Sequence, residues 1–313
     1  MTILLAAGSL VAGLLFLVKG ADLFVGAAEG LALRLGWSPA VIGAVVVGFG
    51  TSLPELVTSA VAALDGQPDL AIGNAAGSNV ANLLLILGVA ALVAPLRGTG
   101  PGPGRDIAIA AGSGLLLVAL AASGELGLID GLVLLAVLIA AVVWQVASAR
   151  GGPLEVAVEV AGGPLVVRII VGLGGVVVGA RLLVWGATEI AFELGVPTIV
   201  IGSVLVAVGT SLPELATAIA SARRGQTELL IGNLIGSNAF NALGVVAVAA
   251  LVGVARDDIL LVDGAAMSVV AAAGAVTAVL GAMLWRRPRL GRVGGAVLVA
   301  LYVASVPLLL AVS

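Results

Sequence analysis

Gly50-Thr51-Ser52-Leu53-Pro54-Glu55 sets a carboxylate inside an apolar run that otherwise reads as a membrane-spanning helix, and Gly209-Thr210-Ser211-Leu212-Pro213-Glu214 repeats it letter for letter 159 residues later. Each copy is followed by a second signature. The first holds Gly73-Asn74, Gly77-Ser78-Asn79 and Asn82, and the second holds Gly232-Asn233, Gly236-Ser237-Asn238 and Asn241. A carboxylate at membrane depth is expensive and marks a functional site by default. Two in identical settings imply one site assembled from two halves.

The rest of the chain supports a bilayer setting. Of 313 residues, 61% are hydrophobic and only 10% charged, whereas soluble domains carry about 25% charged residues. The apolar segments exceed the ~20 residues that a spanning helix needs and lack the alternation of an outer-membrane barrel, so the reading is a polytopic helical protein. A net charge of -3, without a basic aromatic patch, excludes a nucleic-acid partner. The chain has no cysteine and no histidine. Thiol chemistry and the commonest soft-metal ligands are therefore absent, leaving oxygen donors and hard cations. The stretch from Met1 to Val18 lacks a basic start and a cleavage site and reads as a retained span with an external amino terminus.

Hydropathy and punctuation give ten spans, roughly 3–31, 38–64, 69–95, 106–123, 127–148, 164–192, 197–222, 228–254, 259–284 and 292–312. The expected fold is an all-α polytopic membrane protein whose ten transmembrane helices form two inverted five-helix repeats. Residues 1–150 make the first repeat, 151–163 a short cytoplasmic linker and 164–313 the second repeat. At a constant offset of 159, 25 of the 47 positions in 36–82 are identical to those in 195–241. An odd number of spans per half inserts the second copy from the opposite side, an architecture of secondary transporters. Arginines gather after spans 1, 3, 5, 7 and 9, including Arg34, Arg97, Arg150, Arg223 and Arg286, with only Arg256 on the other face. Positive-inside therefore places both termini outside. Localisation follows as an integral protein of a prokaryotic plasma membrane, with lipid as its surroundings and no obligate protein partner evident.

Within the first motif Pro54 lacks an N–H and clashes with the carbonyl of Gly50, so the helix should break and free carbonyls from Gly48 to Thr51. In the next span Asn74, Ser78 and Asn82, at i, i+4 and i+8, share one helix face, which should meet Glu55. Glu55 and Glu214 would then approach near the midplane, with Ser78, Asn82, Ser237 and Asn241 around them. Two unpaired carboxylates in low dielectric must take up protons or hold positive charge. One divalent ion neutralises both, and several Na+ ions could do the same, so occupancy is mutually exclusive. The bland alternative is a pair of protonated glutamates bonding neighbouring helices, and duplication in a helix-breaking context argues against it. Asn74 and Asn233 either satisfy freed backbone groups or ligate directly. Gly77 and Gly236 read as close-packing positions. Lys19 and Asp22 read as a self-neutralising pair, with an Asp22–Arg181 pair between the halves also conceivable.

Paired GTSLPE and GN..GSN..N motifs in inverted halves resemble the alpha repeats of the sodium/calcium exchanger family, within the calcium/cation antiporter superfamily. The resemblance implies a Ca2+ site made by Glu55, Glu214 and the backbone carbonyls of Thr51 and Thr210. It implies flanking Na+ sites at Gly48, Thr51, Glu55 and Ser78 on one side and Ala207, Thr210, Glu214 and Ser237 on the other, with Ser52 and Ser211 nearby and Asn82 and Asn241 as central polar ligands. Some potassium-dependent relatives place Asp at the position of Asn241, so Asn implies potassium independence. The short linker leaves no room for a large cytosolic calcium-sensing domain. The function implied is Na+/Ca2+ antiport by alternating access, with no enzyme activity and no cofactor. Spans 1 and 6, rich in glycine (Gly13, Gly20, Gly26 and Gly30; Gly172, Gly174, Gly175, Gly179 and Gly186), would slide against an eight-helix core. An H+-coupled divalent antiporter and a cation channel are the alternatives.

Overall fold

The computed structural model describes residues 2–97, 103–149, 164–194, 207–255, 259–286 and 289–312. The 98–102 part of the first linker, the 150–163 linker and the first half of the seventh expected span lie outside them. The described chain is almost entirely helical: α1 (Thr2–Leu35), α2 (Pro39–Thr51), α3 (Leu53–Leu64), α4 (Pro68–Val93), α5 (Pro103–Ala121), α6 (Leu128–Ala147), α7 (Leu165–Glu193), α8 (Ala207–Thr210), α9 (Leu212–Arg223), α10 (Thr227–Val254), α11 (Gly264–Arg286) and α12 (Arg292–Val312). Among the described residues six helices are long and apolar enough to cross a bilayer, or seven when α2 and α3, bent by 43° at Ser52, count as one span.

Two short antiparallel pairs tie distant connections together. Leu96–Arg97 pairs with Arg289–Leu290, and Glu125–Leu126 pairs with Leu260–Leu261. Each joins a loop from the front of the chain to one from its end, where backbone groups leaving a helix would otherwise lack partners.

The helices divide by environment. On α10 every residue from Leu229 to Phe240 is buried, while α1 and α7 expose large apolar side chains such as Leu4, Leu15, Val166 and Ile170. Outward apolar surface of that kind suits lipid. α1 and α7 pack along one another with their backbones nearly touching: a Cβ added at Gly20 would lie 2.6 Å from the Val176 nitrogen, and one at Gly172 would lie 2.6 Å from the Phe24 nitrogen. Gly13, Gly175, Gly179 and Gly186 share this seam, whereas a Cβ at Gly174 would meet nothing within 4 Å among the described residues and one at Gly26 would meet the Arg224 guanidinium instead. Small residues permit this approach, which dispersion rather than water exclusion rewards inside lipid.

A second glycine seam holds α2 against α10. Cβ atoms at Gly43 and Gly232 would sit 2.3 Å from the Leu229 carbonyl oxygen and 2.1 Å from that of Ala40, and Gly236 meets Ala44 in the same way. The packing role expected for Gly236 is therefore met, while a Cβ added at Gly77 would meet no other element within 4 Å among the described residues.

Among the described residues three segments are π-helical, a feature with no sequence signature: Gly43–Gly48 in α2, Asn82–Ile86 in α4 and Asn241–Val245 in α10. The last two begin at equivalent positions of the repeat. A π turn inserts an extra residue and redirects the remainder of the helix, and such turns gather at functional sites.

The ion pair expected between Lys19 and Asp22 does not form among the described residues. Lys19 and Arg181 are exposed, and the Asp22 backbone carbonyl accepts from Arg224 Nη2 at 3.0 Å. About two turns further along α1, Arg224 approaches Glu29 to 3.9 Å, and Gln226 Nε2 donates to the same carboxylate.

Candidate cation site

The proline break falls where the motif places it. α2 ends at Thr51, Ser52 turns at φ -86° and ψ 8°, and α3 restarts with Pro54 and Glu55 in its first turn. Ser211 does the same at φ -89° and ψ 3°, with Pro213 and Glu214 opening α9. Proline is tolerated in a first turn because the N–H it lacks would be unpaired there anyway. Each carboxylate thus rides on a helix amino terminus, where free amides and the macrodipole favour negative charge.

The two glutamates are buried, 0% exposed for Glu55 and 1% for Glu214, and their hydroxyl partners cross between the motifs. Ser52 Oγ donates to Glu214 Oε1 at 3.0 Å, and Ser211 Oγ donates to Glu55 Oε1 at 3.5 Å. Ser78 Oγ also reaches Glu55 Oε1 at 3.5 Å, in keeping with its place on the inner face of α4. On each glutamate the second oxygen, Oε2, is buried without a hydrogen-bond partner among the described residues.

Other site positions take more local roles. Thr51 Oγ1 lies within donating distance of the carbonyls of Val47 (3.0 Å) and Gly48 (3.3 Å), and 3.4 Å from Asn233 Oδ1. The Gly48 carbonyl is not freed, contrary to the expectation from Pro54. The break begins at Ser52, so the Ser52 amide still bonds Gly48 O at 3.1 Å. Ser237 Oγ adds a second bond there at 3.1 Å, which directs Ser237 to the backbone rather than to a carboxylate. Ala207 opens α8 and Thr210 closes it.

Of the two asparagines left open, Asn74 bonds a backbone carbonyl, whereas Asn233 meets side-chain hydroxyls. Asn74 Nδ2 donates to the Glu55 backbone carbonyl at 3.1 Å and to Ser59 Oγ at 2.9 Å. Asn233 Nδ2 donates to Thr217 Oγ1 at 3.1 Å. The Asn74 bond reaches the first turn of α3 at Glu55 itself, and Asn233 reaches α9 one turn beyond Pro213, through the hydroxyl of Thr217.

Sequence reasoning passed over Asn79 and Asn238, the third letters of the two GSN triplets. Asn79 Nδ2 donates to the Asn238 carbonyl at 3.1 Å, and Asn238 Nδ2 donates to the Asn79 carbonyl at 3.2 Å. This reciprocal clasp joins α4 to α10. Their repetition in register was the available signal. Asn82 Nδ2 donates to Asn238 Oδ1 at 2.9 Å. Asn82 Oδ1, Asn79 Oδ1 and both polar atoms of Asn241 are buried without partners. With the two Oε2 atoms, five acceptor oxygens in this cluster are buried with no donor among the described residues, although buried polar atoms are normally paired. Among the described residues no three Asp, Glu, His or Cys converge. A cation here would be held by two carboxylates and neutral oxygens, the donor set of a hard ion.

Comparison with known proteins agrees with this geometry. The family described as sodium/calcium exchanger protein matches residues 5–147 and 164–311. Inner membrane protein YrbG of Escherichia coli is 38% identical over 269 residues, covering 80% of each chain. Sodium/calcium exchanger MaX1 of Methanosarcina acetivorans is 32% identical over 275 residues, 74% of this chain and 79% of the relative. A solved structure of the sodium-calcium exchanger NCX_Mj, soaked with zero Na+ and Ca2+, superposes with a TM-score of 0.86 at 34% identity, over 97% of this chain and 99% of that one. The chain belongs to the sodium/calcium exchanger protein family.

Proposed function

We propose that this chain exchanges Na+ for Ca2+ across a prokaryotic plasma membrane, using one buried site reached alternately from either side. Membership in the family makes it a membrane cation antiporter rather than an enzyme; sodium as the coupling ion is our own reading. One observation carries it: two buried carboxylates, each hydrogen-bonded by the serine of the other motif, each keep an acceptor oxygen free of donors. One Ca2+ cancels both charges. Na+ ions held at the same carboxylates would exclude it, which makes occupancy alternate. We assign Ca2+ to Glu55, Glu214 and the carbonyls of Thr51 and Thr210. Na+ is assigned to the flanking positions Gly48, Ser52, Ser78, Ala207, Ser211 and Ser237, with Asn82 and Asn241 as central polar ligands. Transport needs no cofactor and, with Asn at both central positions, no K+.

The architecture we infer is ten spans in two inverted halves, residues 1–150 and 164–313, with both termini outside. Packing supports it: α4 lies on α12 as α10 lies on α6, and α5 lies on α11. These pairs exchange under a two-fold relation between the halves. The α1–α7 layer, joined by its glycine seam, moves against the remaining helices. If several Na+ exchange for one Ca2+, net charge crosses the membrane, at about 2.3 kcal/mol per elementary charge per 100 mV.

Purified protein in liposomes tests the reading. An imposed Na+ gradient should drive 45-calcium against its own gradient. Calcium movement that follows a pH gradient in sodium-free buffer, and ignores Na+, would replace this reading with proton coupling. Unitary currents without saturable exchange would replace it with a channel.

A further inference from the structure

Three of the buried asparagines, Asn79, Asn238 and Asn82, form a hydrogen-bond relay whose polarity can be deduced atom by atom. A backbone carbonyl only accepts, so the side-chain atom of Asn238 that meets Asn79 O at 3.2 Å is its nitrogen. Its other atom is therefore the oxygen, and that oxygen lies 2.9 Å from the Asn82 amide. Only the Asn82 nitrogen can donate to it. Asn82 Oδ1 is thereby turned away from Asn238, and it is buried with no partner. Asn82 follows Ser78 by one turn on the inner face of α4, and the Ser78 hydroxyl reaches Glu55.

The equivalent relay starts but does not finish. Asn79 Nδ2 is fixed on the Asn238 carbonyl at 3.1 Å, which leaves Asn79 Oδ1 as the acceptor for Asn241 Nδ2. Neither of those atoms is engaged. An identical GSN..N sequence therefore yields one oriented amide and one unoriented amide.

We propose that Asn238 is a positioning residue: by holding the Asn82 nitrogen it commits the Asn82 oxygen to the cation, while Asn241 is left free to turn either end inward. The inference rests on the cation site proposed above and adds the residue that sets its ligand polarity. Ca2+, which takes 6–8 oxygens, gains most from a neutral oxygen held ready. Groups that orient metal ligands typically change affinity by about 10–100-fold when removed.

The test is equilibrium 45-calcium binding to the purified full-length chain, with monodispersity on gel filtration as the check on folding. Asn238→Ala removes the acceptor that holds Asn82, so affinity should fall about tenfold or more. The decisive arm is the same change in an Asn82→Asp background. A carboxylate has oxygens at both ends, so no orientation has to be selected, and one of them would face the Asn238 oxygen as acceptor against acceptor; there Asn238→Ala should cost less than about twofold or raise affinity. Equal losses in both backgrounds would reduce Asn238 to a packing residue and overturn the proposal, as would no loss in either. If Asn238→Ala does not yield monodisperse protein, Asn238→Ser, too short to reach Asn82, takes its place with the same expectations. Glu55→Gln run alongside separates the two levels: retained binding there removes the site itself, while lost binding with equal Asn238 losses removes only the relay.

Discussion

Ser52 Oγ donates to Glu214 Oε1 across 3.0 Å, linking the broken helix of one motif to the carboxylate of the other. The return contact, from Ser211 to Glu55, is longer at 3.5 Å. Neither carboxylate is held by the serine of its own GTSLPE stretch, although Ser78 of the same half also reaches Glu55, so the position of each depends on how the two stretches dock. A hydrogen bond to a charged group contributes about 1.5–3 kcal/mol. Ser52→Ala should therefore weaken Ca2+ binding about tenfold and Ser211→Ala less. Titration calorimetry on both variants measures the difference, and an inverted order would contradict it.

Glu55→Gln and Glu214→Gln should each abolish measurable Ca2+ binding. Gln keeps the size and one oxygen but leaves a divalent ion with a single buried compensating charge. Breaking a buried charge pair from one side costs about 3–5 kcal/mol, more than a hundredfold in affinity. Near-native calcium affinity in both variants would remove the assignment of the site.

Arg224 bridges Glu29 on α1 and the turn between α9 and α10, on the face that the arginine distribution assigns to the cytoplasm. The repeat-related positions on the opposite face hold Thr188 and Asp65, which cannot make this pair. On the proposed alternating-access reading, the contact would favour closure of one side only. The pair is partly exposed, with Arg224 39% accessible, so it contributes at most about 1 kcal/mol. Arg224→Ala should raise the cytoplasm-open population by up to about fivefold. With no native cysteine, thiol labelling at a single engineered cysteine in the cytoplasmic half of α1 reads the shift directly. Unchanged labelling would sink it.

Gly172→Ala would push a methyl to within 2.6 Å of the Phe24 amide nitrogen, forcing α1 and α7 apart. The seam lies outside the carboxylate cluster. Turnover should fall several-fold while equilibrium Ca2+ binding stays within about twofold, since overpacking costs about 1–3 kcal/mol locally. Parallel loss of binding and flux would instead place this seam within the binding unit.

Local rules were enough to read from the chain its helical membrane class, the two carboxylates, the break that seats each on a helix start, and the inner face carrying Ser78 and Asn82. Composition, proline geometry and a period of 3.6 carry that information residue by residue. Partners across helices are another matter. Asn74 bonds Ser59, but the position equivalent to Ser59 is Ala218, so Asn233 turns to Thr217. Ser78 reaches a carboxylate while its twin Ser237 binds the Gly48 carbonyl. The π turns at Asn82 and Asn241 likewise left no readable mark, and the asparagine clasp beside them left only the repeated GSN triplet, which does not say which atoms meet. Which atoms meet there depends on how far each helix is rotated and slid against its neighbour. The packing of the whole bundle sets those rotations, and it made two nearly identical motifs unequal.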